Sequence, residues 1–540
     1  MLSKQHAITG LIKARIKTRE QLYDAKRKAA KKFKIAMPQN SEILEALDAR
    51  SDDKDRDFRK LLKKRSVRTL SGIAPVAVLT RPWPCPGKCA YCPTERDVPQ
   101  SYLSNEPAVM RAIRENFDPY GQVQSRLRAL EANGHEPTKI ELIVIGGTWS
   151  VLPEEYKYWY IGNCFAAAND YKAQNTVHKT QTKHSAQNTN KSLPELRQWL
   201  AKEQNKNEKA KYKIIGITLE TRPDYINEKE LRQMRELGCT RVELGVQAID
   251  DRILEKNRRG HGVDAIASAT KRLKDFGFKV TYHIMPGLPG STPAHDLKMF
   301  KRLFTDERFQ PDQLKFYPTV VTRGSLLHRW WRAGKYKPYA ASRLEKLIIA
   351  CKKAVPPYVR IIRLIRDIPG ESILAGNLVT NLRQVMQQRG VKCDCIRCRE
   401  VRDKDLRFKI YDLRIIKYRA SGGIEYFIEA VGKDKRTLYG FCRLRLPDSR
   451  CPTPRNSVSD TEKFFRGTAM IRELHVYGEL VPIGKKKKIQ HAGLGKKLMA
   501  EAEKIARTNG FEKILVISGI GARGYYRRLG YKLKQGYMVK

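Results

Sequence analysis

The sequence predicts an α/β chain in which a parallel strand–helix series is followed by a separate α+β domain and preceded by a basic helical arm. Three observations predict it. Between about 75 and 320, short β-rich runs ("VAVLT", "IELIVIGG", "YKIIGITLE", "RVELGVQ", "FKVTYHIMPG") alternate with helical stretches such as "NEPAVMRAIRENF", "EKELRQMRELG" and "VDAIASATKRLKDFG". Strands alternating with helices imply parallel βαβ units, whose loops at the strands' C-terminal ends build a site. After about 405 the pattern changes to two strands around a polar turn, "GIEYFIEAVGKDKRTLYGFCRLRL". These are followed by a strand, "IRELHVYG", a Gly-containing turn into a helix, "QHAGLGKKLMAEAEKIARTNG", and a further strand, "EKILVISG". Residues 1–70 are helical in pattern and dense in Lys and Arg ("DAKRKAAKKFKIA", "FRKLLKKRSVR"). The predicted order is therefore an arm at 1–70, a strand–helix domain at 71–320, a connecting region at 321–404 and an α+β domain at 405–540. A polar insertion at 169–192, nearly free of large aliphatics, reads as a surface loop.

Composition narrows the class. A chain of 540 residues with 41% hydrophobic residues is long enough for two or three cores. No run approaches the roughly 18 apolar residues of a membrane span, and the N-terminus lacks the apolar core of a signal peptide, so a soluble cytoplasmic protein is expected. Eleven cysteines, unevenly spread, suit metal ligands in a reducing compartment better than a disulfide framework. The formal net charge of +49 favours a polyanionic partner, nucleic acid before a membrane surface, over a merely solubilising surface.

The chemistry starts at "PCPGKCAYCPTER", which follows the first strand and holds Cys85, Cys89 and Cys92. A structural zinc site is normally closed by four ligands. Three thiolates on a four-iron cubane leave one iron open, which is useful only if something else must bind it. The CxxxCxxC spacing, with Tyr91 before the third cysteine, resembles the radical S-adenosylmethionine (radical SAM) superfamily. That family's fold is a partial TIM-type (β/α) barrel, and its open iron chelates SAM. Gly146, Gly147 and Thr148 end the next strand and match its Gly-Gly element. Glu220 and Gln247 lie at later strand ends and are the other SAM candidates; Arg222 is beside them, and "HIMPGLPG" closes the series.

In the second domain, "QHAGLG" (Gln490 to Gly495) opens an amphipathic helix, where unpaired N–H groups and the helix dipole suit a pyrophosphate. It resembles motif A of the GNAT acetyltransferases, which bind acetyl-CoA there. "GARGYYRRLGY" places Tyr525 and Tyr526 where such enzymes commonly keep a tyrosine against the thioester; core packing is the alternative for both. A radical SAM barrel joined to a GNAT domain resembles the family of the catalytic subunit of Elongator, the tRNA carboxymethyluridine synthases or tRNA uridine acetyltransferases, over nearly the whole chain. Two departures are a shorter gap between the first two cysteines and "TER" where that family has a glycine-rich stretch.

The resemblance implies an acyltransferase that uses a [4Fe-4S] cluster on Cys85, Cys89 and Cys92, SAM and acetyl-CoA to form 5-carboxymethyluridine at the wobble position of tRNA. Lys139, Glu473, Leu474, His475, Val476, Gln490, Gly493, Leu494, Gly495, Lys496 and Tyr526 would line the coenzyme, and Tyr525 and Tyr526 would serve catalysis. Arg258, Arg259 and the basic arm would hold phosphates of the anticodon stem-loop. An electron donor is required; accessory subunits or a homodimer are left open. Cys393, Cys395 and Cys398, with CxCxxC spacing, read as a zinc staple whose fourth ligand is open among Cys442, Cys451 and a distant His. The alternatives are a GNAT-type protein lysine acetyltransferase with a structural iron–sulfur domain, a radical SAM enzyme of other RNA chemistry, and a non-catalytic tRNA-binding scaffold.

Overall fold

The computed structural model of the chain describes residues 2–14, 16–48, 56–63, 72–171, 191–378, 382–401, 411–448, 464–465, 467–477 and 493–540. The polar insertion lies largely outside them, as do Gln490 and Cys451.

The five runs of the strand–helix series become β1 (Ala74–Leu79), β2 (Lys139–Ile145), β3 (Lys213–Thr221), β4 (Arg241–Gln247) and β5 (Lys279–Ile284), and β6 (Gln313–Phe316) follows them. After the two-residue β7 (Val321–Thr322) comes β8 (Arg360–Arg363), which pairs parallel with β6, and then β9 (Ile373–Ala375), which pairs with β7. The main sheet runs β1-β2-β3-β4-β5-β6-β8, parallel throughout, as an open part-barrel. This corrects the sequence boundary at 320. The stretch read as a connector supplies the seventh strand and the helix Ala341–Ala354, because a parallel neighbour for β6 needs a crossover of its own.

Period-two alternation decides which side chains meet the site. On β2, Ile140, Leu142 and Val144 are buried in the apolar core shared with helices such as Pro119–Glu131 and Glu154–Asn169. Glu141, Ile143 and Ile145 face the interior cavity instead.

The second sheet comprises β10 (Tyr411–Arg419), β11 (Gly423–Gly432), β12 (Leu438–Pro447), β13 (Thr468–Val476), β14 (Lys513–Val516), β15 (Lys532–Lys534) and β16 (Tyr537–Val539). Its order is β10-β11-β12-β13-β14-β16-β15, and only β13 and β14 run parallel. One face packs on the helix Leu494–Thr508 through Leu498, Met499, Ala502 and Ala506. The other face closes the N-terminal end of the barrel strands. Phe427, Phe441, Met470 and Tyr537 join the barrel's own apolar cluster. A Cβ on Gly519 would lie 2.0 Å from the carbonyl oxygen of Ile215, so the two domains meet backbone to backbone there.

Charge also crosses this contact. Asp312, just before β6, accepts from Arg472 of β13 at 2.9 Å and lies 3.6 Å from Lys274 and 3.7 Å from Arg443. Glu425 of β11 pairs with Lys274 and Arg472, while Arg445 donates to Asp275 at 2.6 Å. Asp312, Lys274, Glu425 and Arg472 have fully buried side chains. The N-terminal helices Leu2–Lys13, Arg19–Phe33, Asn40–Asp48 and Arg56–Leu62 pack on an apolar cluster of their own. Among the described residues no helix is long and apolar enough to cross a membrane.

Candidate active site and coenzyme cleft

A cavity of about 670 Å³ runs inside the part-barrel from the cysteine loop at the strands' C-terminal ends to β12 and β13 of the second domain. Its wall includes Cys85, Cys89, Cys92, Gly147, Thr148, Glu220 and Gln247 at one end and Phe441, Glu473, His475 and Tyr477 at the other.

The cysteine loop is pinned by backbone. Ala90 N–H donates to Asn257 O at 3.0 Å, and Leu327 N–H donates to Ala90 O at 2.7 Å. Two buried guanidinium groups flank Cys89. Arg259 Nη1 donates to its sulfur at 3.1 Å, and a Cβ on Gly87 would come 2.4 Å from Arg222 Nη1 and 3.4 Å from that sulfur. A hydrogen bond from Cys92 and the charges of Arg259 and Arg222 outweigh burial and pull the Cys89 thiol down to about 5. Such surroundings favour a thiolate at Cys89 and an anionic group held there. Among the described residues Arg222 Nη1 and Arg259 Nε are buried without partners, although Arg222 also pairs with Asp224 at 2.8 Å. Three thiols beside two buried cations fit an iron–sulfur cluster.

Arg259 must be corrected as a phosphate contact. Its side chain is 4% exposed and its other bonds go to Gly245 O and His261, so it serves the cysteine loop and not a surface phosphate. Arg258 is exposed, with a left-handed φ of 56°.

Behind the loop, Gly146 has a φ of +137°, and a Cβ there would fall 2.0 Å from Thr80 Oγ1. Gly147 follows at +94°, and Thr148 Oγ1 sits 3.7 Å from Cys85 Sγ. Gly146→Ala is expected to destabilise the fold by about 1–3 kcal/mol through backbone strain and clash, read by urea denaturation. Glu220 accepts from Tyr102 O–H at 2.8 Å and lies 3.5 Å from His283 Nδ1. Gln247, at a φ of 68°, keeps an unpartnered buried Oε1.

The coenzyme end is made by one strand leaving another. β13 and β14 pair from Thr468↔Lys513 to Ile471↔Val516 and then part, so that among the described residues one backbone edge of Glu473–Val476 has no strand beside it. Gly493, at a φ of +93°, caps the helix whose first turn carries Leu494, Gly495 and the exposed Lys496. Tyr525 O–H is buried and without a partner among the described residues, 2.8 Å from where a Cβ on Gly495 would stand. Tyr526 belongs to the domain's apolar core, and Leu474 and Val476 pack against that core. Lys139 shares the inward face of β2 but lies below the lining residues, and burial lowers its pKa.

Cys393, Cys395 and Cys398 present sulfurs within 4.8 Å of one another. Cys442 sits apart from them in the second domain's apolar core. Sequence reasoning missed Tyr102, His283, Glu243 and Lys315 on the cavity wall: Tyr102 and His283 meet at Glu220, and His283 and Lys315 meet at the buried Glu243. Their signal was a charged residue inside an apolar strand, Glu243 in "RVELGVQ" and Lys315 in "QLKF".

Family profiles match this arrangement segment by segment: the radical SAM superfamily over residues 85–303, the radical SAM C-terminal domain over 311–390 and the GNAT acetyltransferase family over 409–531. A tRNA uridine(34) acetyltransferase of Dehalococcoides mccartyi is 43% identical, covering 88% of this chain and 99% of its own. Elongator complex protein 3 of Homo sapiens is 37% identical over 99% of this chain and 96% of its own. The chain belongs to the Elongator complex protein 3 family. The solved structure of archaeal Methanocaldococcus infernus Elp3 lacking residues 1–46 shares the fold at a TM-score of 0.69 and 38% identity, covering 87% of this chain and 99% of that one. As an Elongator-type acyltransferase the chain thus joins a radical SAM part-barrel to a GNAT acetyltransferase domain.

Proposed function

We propose that this protein modifies the wobble uridine of tRNA, using acetyl-CoA and SAM to build a 5-carboxymethyl group. The observation that carries the reading is the single cavity joining the cysteine loop to the freed edge of β13. A plain lysine acetyltransferase has no use for such a passage. Cys85, Cys89 and Cys92 would hold the cluster, Gly146, Gly147, Thr148, Glu220 and Gln247 would hold SAM, and the two groups would supply the radical chemistry that an unactivated acetyl methyl needs.

The protein's own residues do the positioning. Glu473, Leu474, His475 and Val476 offer an unpaired strand edge to the coenzyme, with Gly493, Leu494, Gly495 and Lys496 at the helix start suited to its pyrophosphate. The barrel wall keeps water from a reactive carbon over the length of the passage. Burial holds the Tyr525 phenol above its ordinary pKa, so it remains a proton donor for a departing thiolate. A single-stranded anticodon loop can splay its base into a pocket at limited cost. The exposed Arg258 and the basic helical arm would meet phosphates, and the net charge of +49 supports an RNA partner. The clustered sulfurs of Cys393, Cys395 and Cys398 suit a tetrahedral zinc, whose ligand sulfurs stand about 3.8 Å apart for Zn–S bonds near 2.3 Å.

Incubating tRNA with the protein, reductant, SAM and acetyl-CoA, followed by nucleoside mass spectrometry, tests the reading. Carboxymethyluridine is the expected product. Acetyl-lysine on protein with unmodified tRNA would favour the lysine acetyltransferase instead.

A further inference from the structure

The reaction ends in the breaking of a thioester, and the coenzyme end of the cavity must supply a base for the attacking water. The polar wall at that end includes Glu473, Tyr477, Lys279, Arg360, His475 and Glu141, the last paired with Arg241 at 2.9 Å. Glu473 is committed: Arg443 donates to it at 2.9 Å and Lys279 lies 3.7 Å away, and although burial raises its pKa, these cations hold it below the ordinary carboxylate range. Tyr477 receives a hydrogen bond from Arg360 at 3.0 Å, and burial keeps its phenol protonated. Lys279 carries only donors.

His475 differs. It projects from the same face of β13 as Glu473 and Tyr477, lines the cavity, and is held between the rings of Phe441, centroids 5.9 Å apart, and Tyr477, 4.4 Å apart. Its Nε2 is buried with no hydrogen-bond partner among the described residues. A buried polar atom without a partner is costly in a native core and calls for an occupant. The next residue, Val476, points to the opposite face, where its side chain and Tyr525 O–H meet at Gly495. The freed strand edge therefore has an unpaired imidazole on one side and an unpaired phenol on the other.

We propose that His475 is the general base for hydrolysis of the coenzyme thioester, with Tyr525 as proton donor to the leaving sulfur. Resting on the function proposed above, this assigns its last step. His475 Nε2 takes a proton from water as the water oxygen bonds to the acyl carbon. The carbon–sulfur bond then breaks, and the thiolate takes the phenolic proton of Tyr525. The imidazolium returns its proton through solvent to the phenolate, leaving free thiol and a carboxylic acid that ionises to solvent, with no change of oxidation state. The charged groups facing His475 are Glu473 on its own strand, Lys279 of β5, Arg360 of β8 and Glu400. Burial first, then Arg360 and Lys279, lower its pKa to about 4 against the pull of Glu473. The ring is thus neutral, with its lone pair free, at every pH above about 5.

The test uses His475→Gln, which keeps bulk and hydrogen bonding but cannot take up the proton. In a single turnover with tRNA, reductant, SAM and acetyl-CoA, carboxymethyluridine should fall at least about 100-fold. 5′-Deoxyadenosine should still form, and tRNA carrying a hydroxylamine-labile coenzyme A thioester should accumulate. Acetyl-CoA should bind the variant within about threefold of the parent affinity, and ¹⁵N spectra of the parent should show one imidazole, missing in the variant, that stays neutral at pH 5. Carboxymethyluridine formed at the parent rate overturns the assignment. So does a tenfold or greater loss of acetyl-CoA binding with no trapped thioester, which makes His475 only a wall of the cleft. If the parent releases coenzyme A yet leaves uridine unmodified, the radical reading fails, while loss of thiol release in His475→Gln still supports the base.

Discussion

Cys89→Ala should reduce base modification and deoxyadenosine formation to background while leaving acetyl-CoA and tRNA binding close to those of the parent. Cys89 is the buried member of the loop trio, and its sulfur is the one that Arg259 contacts at 3.1 Å. Removing it deletes one of three thiolates and leaves the Arg259 guanidinium buried against a methyl group. Two thiolates do not keep a cubane with a single open corner, so the chemical step is lost as a whole and not merely slowed. In the function proposed above the coenzyme and the RNA use other surfaces, which is why binding should survive. Iron analysis, nucleoside mass spectrometry and filter binding on one preparation check the three parts together. Full modification by the variant would place the chemistry elsewhere.

The second large effect concerns the contact between domains. Asp312→Ala should destabilise the chain by about 3–5 kcal/mol, because breaking a buried ion cluster strands the remaining charges. Arg472, Lys274 and Arg443 all face that carboxylate. Burial raises the pKa of Asp312, but those three cations win and hold it well below the ordinary range. A carboxylate lowered in the folded state stabilises above its unfolded value, near 3.9, and that stabilisation is lost as pH falls through the folded value. The difference between parent and variant should therefore be constant above about pH 5 and shrink below about pH 4. Denaturant unfolding across that range checks it. A variant within about 1 kcal/mol of the parent at pH 7 would show the cluster to be unimportant.

The cysteine loop, the Gly146–Gly147 pair and the strand–helix rhythm were legible because each obeys a local rule: ligand spacing, a positive φ that excludes side chains, and hydrophobic period. The seventh barrel strand was not, because "RIIR" is four residues with charge at both ends, and its pairing with β6 is a long-range choice. Arg259 was misread for a related reason. In sequence it stands beside Arg258 in a basic run, and only the fold turns one outward and the other against Cys89. The domain contact was missed although its trace was present. Arg443 and Arg445 alternate within "FCRLRL", Glu425 and Glu429 lie on the barrel-facing side of "GIEYFIEA", and Arg472 sits in "IRELHV". Charges at strand period inside apolar runs are the mark of a sheet face that meets another polar surface.

The backbone approach of Gly519 to Ile215 has a consequence for ancestry and engineering. An acetyltransferase module with a side chain at that point, or without the matching arginines, could not simply be spliced onto this barrel. The two halves have to change in step, and a hybrid assembled from distant members of the family should come apart at this seam before it loses either cofactor.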